Sequence, residues 1–331
     1  MMTRPGLRLA LTLGFAAALA ACASILDIKA LPLVPNEGGD DGGALAETGD
    51  GDGGGGSDGC APRGTSFCQS LCPAPTFCDD FEGPELAKGW EAPLGFQNPV
   101  VSGTEGHVSL GRDDAGAQSQ ALFAMARSDN SSSANAVILN SFSGKPGAKG
   151  ARGVHLRFDL RVSSISWLND GGSSVKSTTV FAFGSEALNQ GFGVNLYGDE
   201  PGKLRLGILQ RALGGGKGIE YQLIGDVFNG DTANFVQNWL PIDITVGSPA
   251  LLAERKIACT IVPDPDAGYD AGPDDTRLVI QMATARKCTT FADPLIATDW
   301  LSATTIIVGA SVSDFGNADV RIDNVLVDFY P

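Results

Sequence analysis

The sequence predicts an all-β protein, an antiparallel two-sheet sandwich of the jelly-roll kind, and three observations predict it. Many short runs alternate apolar and polar residues with a period of two. Forty-four glycines, with many Asp, mark turns between those runs. A helical stripe of a dozen residues is hard to find anywhere in the chain. The first quarter does not look foldable, which leaves roughly 250 residues, enough for one large domain with a sizeable core.

The N-terminus reads as a targeting signal over residues 1–21. Arg4 and Arg8 precede LALTLGFAAALA, an apolar run too short to span a bilayer. The run ends in Leu19-Ala20-Ala21-Cys22, which resembles the lipobox of bacterial lipoproteins. That resemblance implies cleavage before Cys22, lipidation of its thiol and a membrane partner through the acyl chains. Each buried CH₂ of such a chain contributes ~0.8 kcal/mol. Ala23 in place of Asp, by resemblance to the enterobacterial sorting rule, favours the outer membrane of the bacterial envelope. An ordinary signal peptide cut at A-x-A is the competing reading.

Residues 22–59 follow as a tether. The stretch from Asn36 is glycine with Asp and Glu, without a basic or aromatic residue, and cannot bury enough apolar surface to offset its ordering entropy. From Cys22, about 37 residues at ~5–6 Å × √n reach roughly 30–35 Å.

Residues 60–76 form a cysteine-rich collar. Cys60, Cys68, Cys72 and Cys78 fall close together, and Cys259 and Cys288 come much later. Without Cys22 the number is even, and an exported chain sustains disulfides. The simplest arrangement is two bridges within residues 60–78 and one joining Cys259 to Cys288. The spacing Cys68-x₃-Cys72 also admits zinc, but no histidine lies nearby and export counts against it.

The sandwich proper is expected over residues 77–331. In HLRFDLRV (155–162), Leu156, Phe158, Leu160 and Val162 take one face, and His155, Arg157, Asp159 and Arg161 the other. Further strands are expected at 178–183, 193–197, 204–209, 220–224, 240–246, 257–262, 277–282 and 305–311, with 203–209 and 220–224 forming a hairpin. In TFCDDFEGPE (76–85), alternation sends Phe77, Asp79 and Phe81 to one side and Cys78, Asp80 and Glu82 to the other. The acids therefore divide between two faces instead of forming one cluster. The closing strand slips phase between Ile322 and Val325, and a β-bulge at Asp323-Asn324 reconciles the two halves.

The opening FCDDFE with Trp90, the mid-domain NWLPIDI (238–244) and the closing VRIDNVLVDF (320–329) resemble the concanavalin A-like (laminin G-like) lectin and glucanase jelly rolls. That resemblance implies that first and last strands pair side by side, and that glycan is the ligand class to expect.

Catalytic motifs are scarce. The glucanases' E-x-D-x-x-E strand is missing, and Glu82-Gly-Pro-Glu85 is broken by Pro84. GGSDG (55–59) matches G-x-S-x-G but lies in the tether, and GGGKG (214–218) lacks the Ser/Thr of a P-loop. His107 and His155 read as solvated residues. These failures lead to the expectation that the chain is not an enzyme. Asp264, Asp266 and Asp270 offer hard oxygens that suit calcium, though a solvated hairpin tip explains them as well, and no other cofactor is expected. Trp239 reads as core and Trp90 as a cover near the collar. Trp167, leading into Asn169 and Asp170, is the best candidate for stacking on a sugar. GKPGAKGARG (144–153) is a rare basic patch, and a solvated loop suits it too. A net charge of −15 argues against nucleic acid.

The expectation is a lipid-anchored envelope protein presenting a non-catalytic module for glycan or another surface ligand. The alternatives are a glycan hydrolase or lyase with an unrecognised site, and a purely structural envelope protein.

Overall fold

The computed structural model describes residues 66–331 apart from 88, 91–103, 113–119, 130–133, 168–176, 186–189, 199–202, 214–218, 232–237, 261–274, 283–284, 291–300, 302–303 and 313–315. The described strands are β1 (Phe77–Asp79), β2 (Thr104–Arg112), β3 (Gln120–Ser128), β4 (Ala134–Ser141), β5 (Gly153–Trp167), β6 (Ser177–Ser185) and β7 (Gln190–Tyr197). They continue with β8 (Lys203–Leu213), β9 (Ile219–Asp231), β10 (Leu240–Gly247), β11 (Arg277–Met282), β12 (Ala285–Thr290), β13 (Thr305–Val312) and β14 (Gly316–Tyr330). Two short helices, α1 (Phe67–Ser70) and α2 (Pro249–Glu254), complete the described elements.

The strands make a two-sheet antiparallel jelly-roll sandwich. One sheet has the order β12-β11-β10-β5-β14-β3-β2, with β1 added to β14; the other runs β4-β13-β6-β7-β8-β9. First and last strands are neighbours, Phe77 opposite Val327 and Asp79 opposite Val325. The expected bulge is present: the β14–β5 register shifts between Asp323 and Leu326, and Asn324 takes φ 54°. Asn tolerates this left-handed conformation better than most residues.

The core follows from the period-two pattern. Val154, Leu156, Phe158, Leu160 and Val162 of β5 face Val180, Phe181 and Phe183 of β6 and Phe192 and Val194 of β7, all buried. Phe158 and Phe181 stack across the sandwich with centroids 4.7 Å apart and planes within 3°. At one end, Phe142 meets Phe329 and Phe77 edge-on, and Phe77 meets Trp90. Trp239, expected in the core, is only half-buried.

The strand expected at 257–262 is not found in its described part. Residues 257–260 are irregular because α2 ends there in a Schellman-type turn. Lys256 takes φ 56°, its N–H donates to Ala253 O, and the N–H of Ile257 donates to Leu252 O. Ser248 caps the other end, accepting from Leu251 N, with Pro249 in the first turn.

Candidate functional site

Most residues singled out in the sequence fall where nothing can be said of them. Trp167 ends β5, but its side chain, together with Asn169, Asp170, Asp264, Asp266, Asp270, Cys22 and Cys60, lies outside the described residues. Cys68 is bonded to Cys78 and Cys259 to Cys288, and Cys72 is also in a disulfide. The zinc alternative for Cys68 and Cys72 is thereby removed. Among the described residues no group of three or more His, Cys, Asp or Glu is placed to hold a metal.

The described chemistry concentrates on the outer face of the larger sheet. Along β5, His155, Arg157, Asp159 and Arg161 point away from the core, spaced ~6.5–7 Å apart as alternate strand residues are. On one side β10 places Asp243 opposite Arg157 and Thr245 opposite His155. On the other, β14 places Asp328 opposite His155, Asp323 opposite Asp159 and Arg321 opposite Arg161. His155 Nε2 lies 3.1 Å from Asp243 Oδ1, with their side chains 28% and 35% exposed, so the pair is ordered yet reachable from solvent. In the tautomer whose Nε2–H donates to that carboxylate, Nδ1 is the free lone-pair nitrogen. His155 stands partly exposed on the polar face, as expected, and the diagonal reach to β10 gives it a partner in Asp243.

Next along the strand, Arg157 Nη2 stands 3.6 Å from Asp159 Oδ1, and its guanidinium lies 4.9 Å from the Phe67 ring centroid of α1. Asn324 Nδ2 donates to Asp159 Oδ2 at 2.7 Å, a contact that exists because the bulge turns Asn324 outward. Arg321 Nε donates to Ser163 Oγ at 2.9 Å, and its guanidinium stands 4.2 Å from the Phe123 ring centroid. The face thus combines an imidazole held by a carboxylate, guanidinium groups and an amide.

The opening motif divides its acids between two faces, as the alternation predicts. Asp79 points inward, as alternation requires, and is buried. Its carboxylate accepts from Phe81 N (2.8 Å), Ala87 N (3.3 Å) and Trp90 Nε1 (2.6 Å). Burial still raises its pKa against the effect of those bonds. Asp80 accepts from Cys68 N at 3.1 Å, tying α1 down. The charges of Asp80 and Glu82 also act on Asp323. Loss of hydration, with Asp159, Glu82 and Asp80 adding to it, pushes Asp323 up to about 7. Asp159 is raised too, mainly by burial, while Asn324 and Arg157 pull the other way. Asp159 and Asp323 thus stand opposite each other on β5 and β14, strands distant in sequence. The signal available beforehand was the phase slip at Asp323-Asn324, which sends both residues off the core face.

No protein-family model matches the chain, and no curated protein matches it in sequence. Several solved structures are similar to it. An alginate lyase, A1-II', of polysaccharide lyase family 7 is 13% identical over 67% of this chain and 83% of its own, with a TM-score of 0.37. The alginate lyase of Klebsiella pneumoniae is 8% identical over 66% and 84%, at 0.39. The CBM2 module of the evolved Dit of Lactobacillus casei BL23 phage J-1 is 9% identical over 78% and 96%, at 0.39. The expectation that the chain is not an enzyme is corrected to this extent: alginate lyases stand among the structures it is similar to.

Proposed function

We propose that this protein is an exported, lipid-anchored protein that binds an acidic polysaccharide on the outer face of its larger sheet and cleaves it by elimination. The observation that carries the reading is the His155–Asp243 pair beside Arg157 on an accessible strand face. A uronate-containing polymer presents a weakly acidic C–H next to a carboxylate. In this reading Arg157 holds that carboxylate and disperses the charge that develops on it. His155 Nδ1 takes the proton, with Asp243 steadying the imidazolium that forms. The bond from the neighbouring ring carbon to the glycosidic oxygen breaks as the ring C=C double bond forms, and the departing oxygen takes a proton from solvent. The alginate lyases similar to this chain act on such a polymer.

Incubating the protein with uronate polymers, alginate among them, should generate the ultraviolet absorbance of unsaturated chain ends. His155→Ala should lower the rate by roughly 10²–10⁴-fold, the usual worth of a positioned base. Absence of unsaturated product from every acidic polymer tested rejects the reading.

The placement in the envelope rests on other observations. Disulfides persist in oxidising, extracytoplasmic compartments. No helix among the described residues is long and apolar enough to cross a membrane. We assign the attachment to acyl chains on Cys22, with residues 1–21 removed, 22–59 a tether, 60–76 a collar and 77–331 the sandwich. Cys22→Ser should shift the protein from the membrane fraction of cells to the soluble fraction, and unchanged retention would refute the anchor.

A further inference from the structure

We propose that one end of the sandwich, formed by the 143–152 loop and α2, is a docking surface for anionic lipid headgroups. The chain carries a net charge of −15, yet this end gathers basic side chains from two distant segments. Lys149 and Arg152 come from the loop, Arg255 and Lys256 from the close of α2, and all four are exposed. Arg152 joins the segments: its Nη2 lies 3.2 Å from Glu254 Oε2, its Nε donates to the carbonyl of Pro331, and its N–H donates to Tyr330 O at 2.8 Å. The Arg255 guanidinium stands 4.3 Å from the Tyr330 ring centroid. Among the described residues, the acidic groups that act at this end are Glu254, engaged by Arg152, Asp328, which accepts from Thr76, and Asp243, which pairs with His155.

The array is held in shape before anything binds. Phe142 and Ala148 anchor the loop in the core, and Lys145 N donates to Phe142 O at 3.0 Å. Gly144 (φ 73°) and Gly150 (φ 76°) take left-handed turns, and a side chain built at either would meet nothing within 4 Å. The loop therefore offers an open backbone surface with cations on it, which fits a plane of headgroups better than it fits a chain needing a groove.

Position decides the partner. Thr76, the residue before β1, packs against Gly147 of this loop and donates through its N–H to Asp328 Oδ1 at 3.3 Å. The collar, and with it the chain arriving from Cys22, therefore meets the sandwich beside the basic end. On the reading of residues 22–59 as a tether, a reach of roughly 30–35 Å would keep that end within range of the bilayer and raise its effective concentration there. This partner rests on the lipid-anchor reading given above; the surface itself does not.

The test uses the full chain carrying Cys22→Ser, so that no acyl chain contributes, sedimented with vesicles of phosphatidylcholine alone or containing phosphatidylglycerol. The parent should partition into the anionic vesicles at least severalfold more than into the neutral ones, and the excess should shrink with added salt. Lys149→Glu with Lys256→Glu should abolish that excess, since each basic residue near an anionic surface is worth roughly fivefold. Both side chains are exposed, so unchanged circular dichroism should confirm folding. Any contribution of residues 1–21 is common to parent and variant. Equal partition into both vesicle types overturns the proposal. So does an excess that the double variant keeps, or an acidic polysaccharide retained through these two lysines without any vesicle preference. Failure here is separable from failure of the anchor, which is read in cells from Cys22→Ser. It is also separable from failure of the cleavage reading, because His155→Ala should leave vesicle binding unchanged.

Discussion

Asp323 is 6% exposed on the larger sheet, opposite Asp159 of β5, and the charges of Asp159, Glu82 and Asp80 act on its carboxyl. Its pKa rises from an ordinary 3.8 to about 7 because burial penalises the charged form first and the neighbouring acids add to that. The folded state therefore holds this proton over a range where the unfolded chain has released it. The contribution to stability is complete below 3.8 and is lost as pH rises towards about 7, the reverse of a salt-bridged carboxylate. Asp323→Asn keeps an acceptor for the N–H of Asn324, which now donates at 2.7 Å, and removes the ionisation. The wild-type melting temperature should fall between about pH 4 and pH 7, and the variant should be flatter there and more stable at pH 8. Some slope should remain, because Asp159 and Asp79 are raised by burial as well. Identical melting profiles for the two proteins would show that Asp323 is not the group responsible.

β1 shows how an element too short to hold itself is held by what surrounds it. Its three residues pair only with β14, and the Cys68–Cys78 bridge fastens α1 to it across a separation of ten residues. Asp80 adds its bond to Cys68 N, and Asp79 binds Trp90 from the other face. Replacing Cys68 and Cys78 together by Ser should cost ~2–4 kcal/mol, within the usual range for a native bridge. Limited proteolysis should then cut first near α1 and leave the remaining strands intact. A digestion pattern unchanged from wild type would place the collar's stability elsewhere. This element was legible in the sequence, because Phe77, Asp79 and Phe81 alternate with polar neighbours and the closing IDN strand shows its phase slip. β5 was legible for the same reason, down to which residues face outward. β4 was not: its buried positions include Ala134 and Ala136, too small to stand out as an apolar stripe. Residues 257–260 misled in the opposite sense, since Ile257 closes α2 through its N–H instead of continuing a strand. The candidate site was legible only as single strands. Nothing in HLRFDLRV or NWLPIDI says that His155 will reach Asp243 across a β5–β10 register, because pairing partners and register arise from packing of the whole sheet.

At the scale of the whole molecule, the site and the core are two sides of the same strand. β5 carries His155, Arg157 and Asp159 on its outer face, and turns Leu156, Phe158 and Leu160 into the space between the sheets. β5 and β14 pair along most of their length, so the larger sheet is built around them. The smaller sheet answers through Phe181, whose ring lies flat on that of Phe158. The sheets also close on each other beside β2: a side chain on Gly106 would stand 2.0 Å from the carbonyl of Asn135 in β4, so only glycine fits there. Two layers joined by a shared core and a seam of this kind should unfold together and not one after the other. Phe158→Ala tests this. Phe158 is fully buried, so truncation should cost roughly 3–5 kcal/mol through lost burial and the cavity left behind. Its side chain points away from His155 and Asp243, so the proposed cleavage, measured well below the lowered melting temperature, should be unaffected. The melt should remain a single transition, with far- and near-ultraviolet circular dichroism changing together. Two separated transitions would mean that each sheet holds itself, and that the stack of Phe158 on Phe181 joins layers already stable alone.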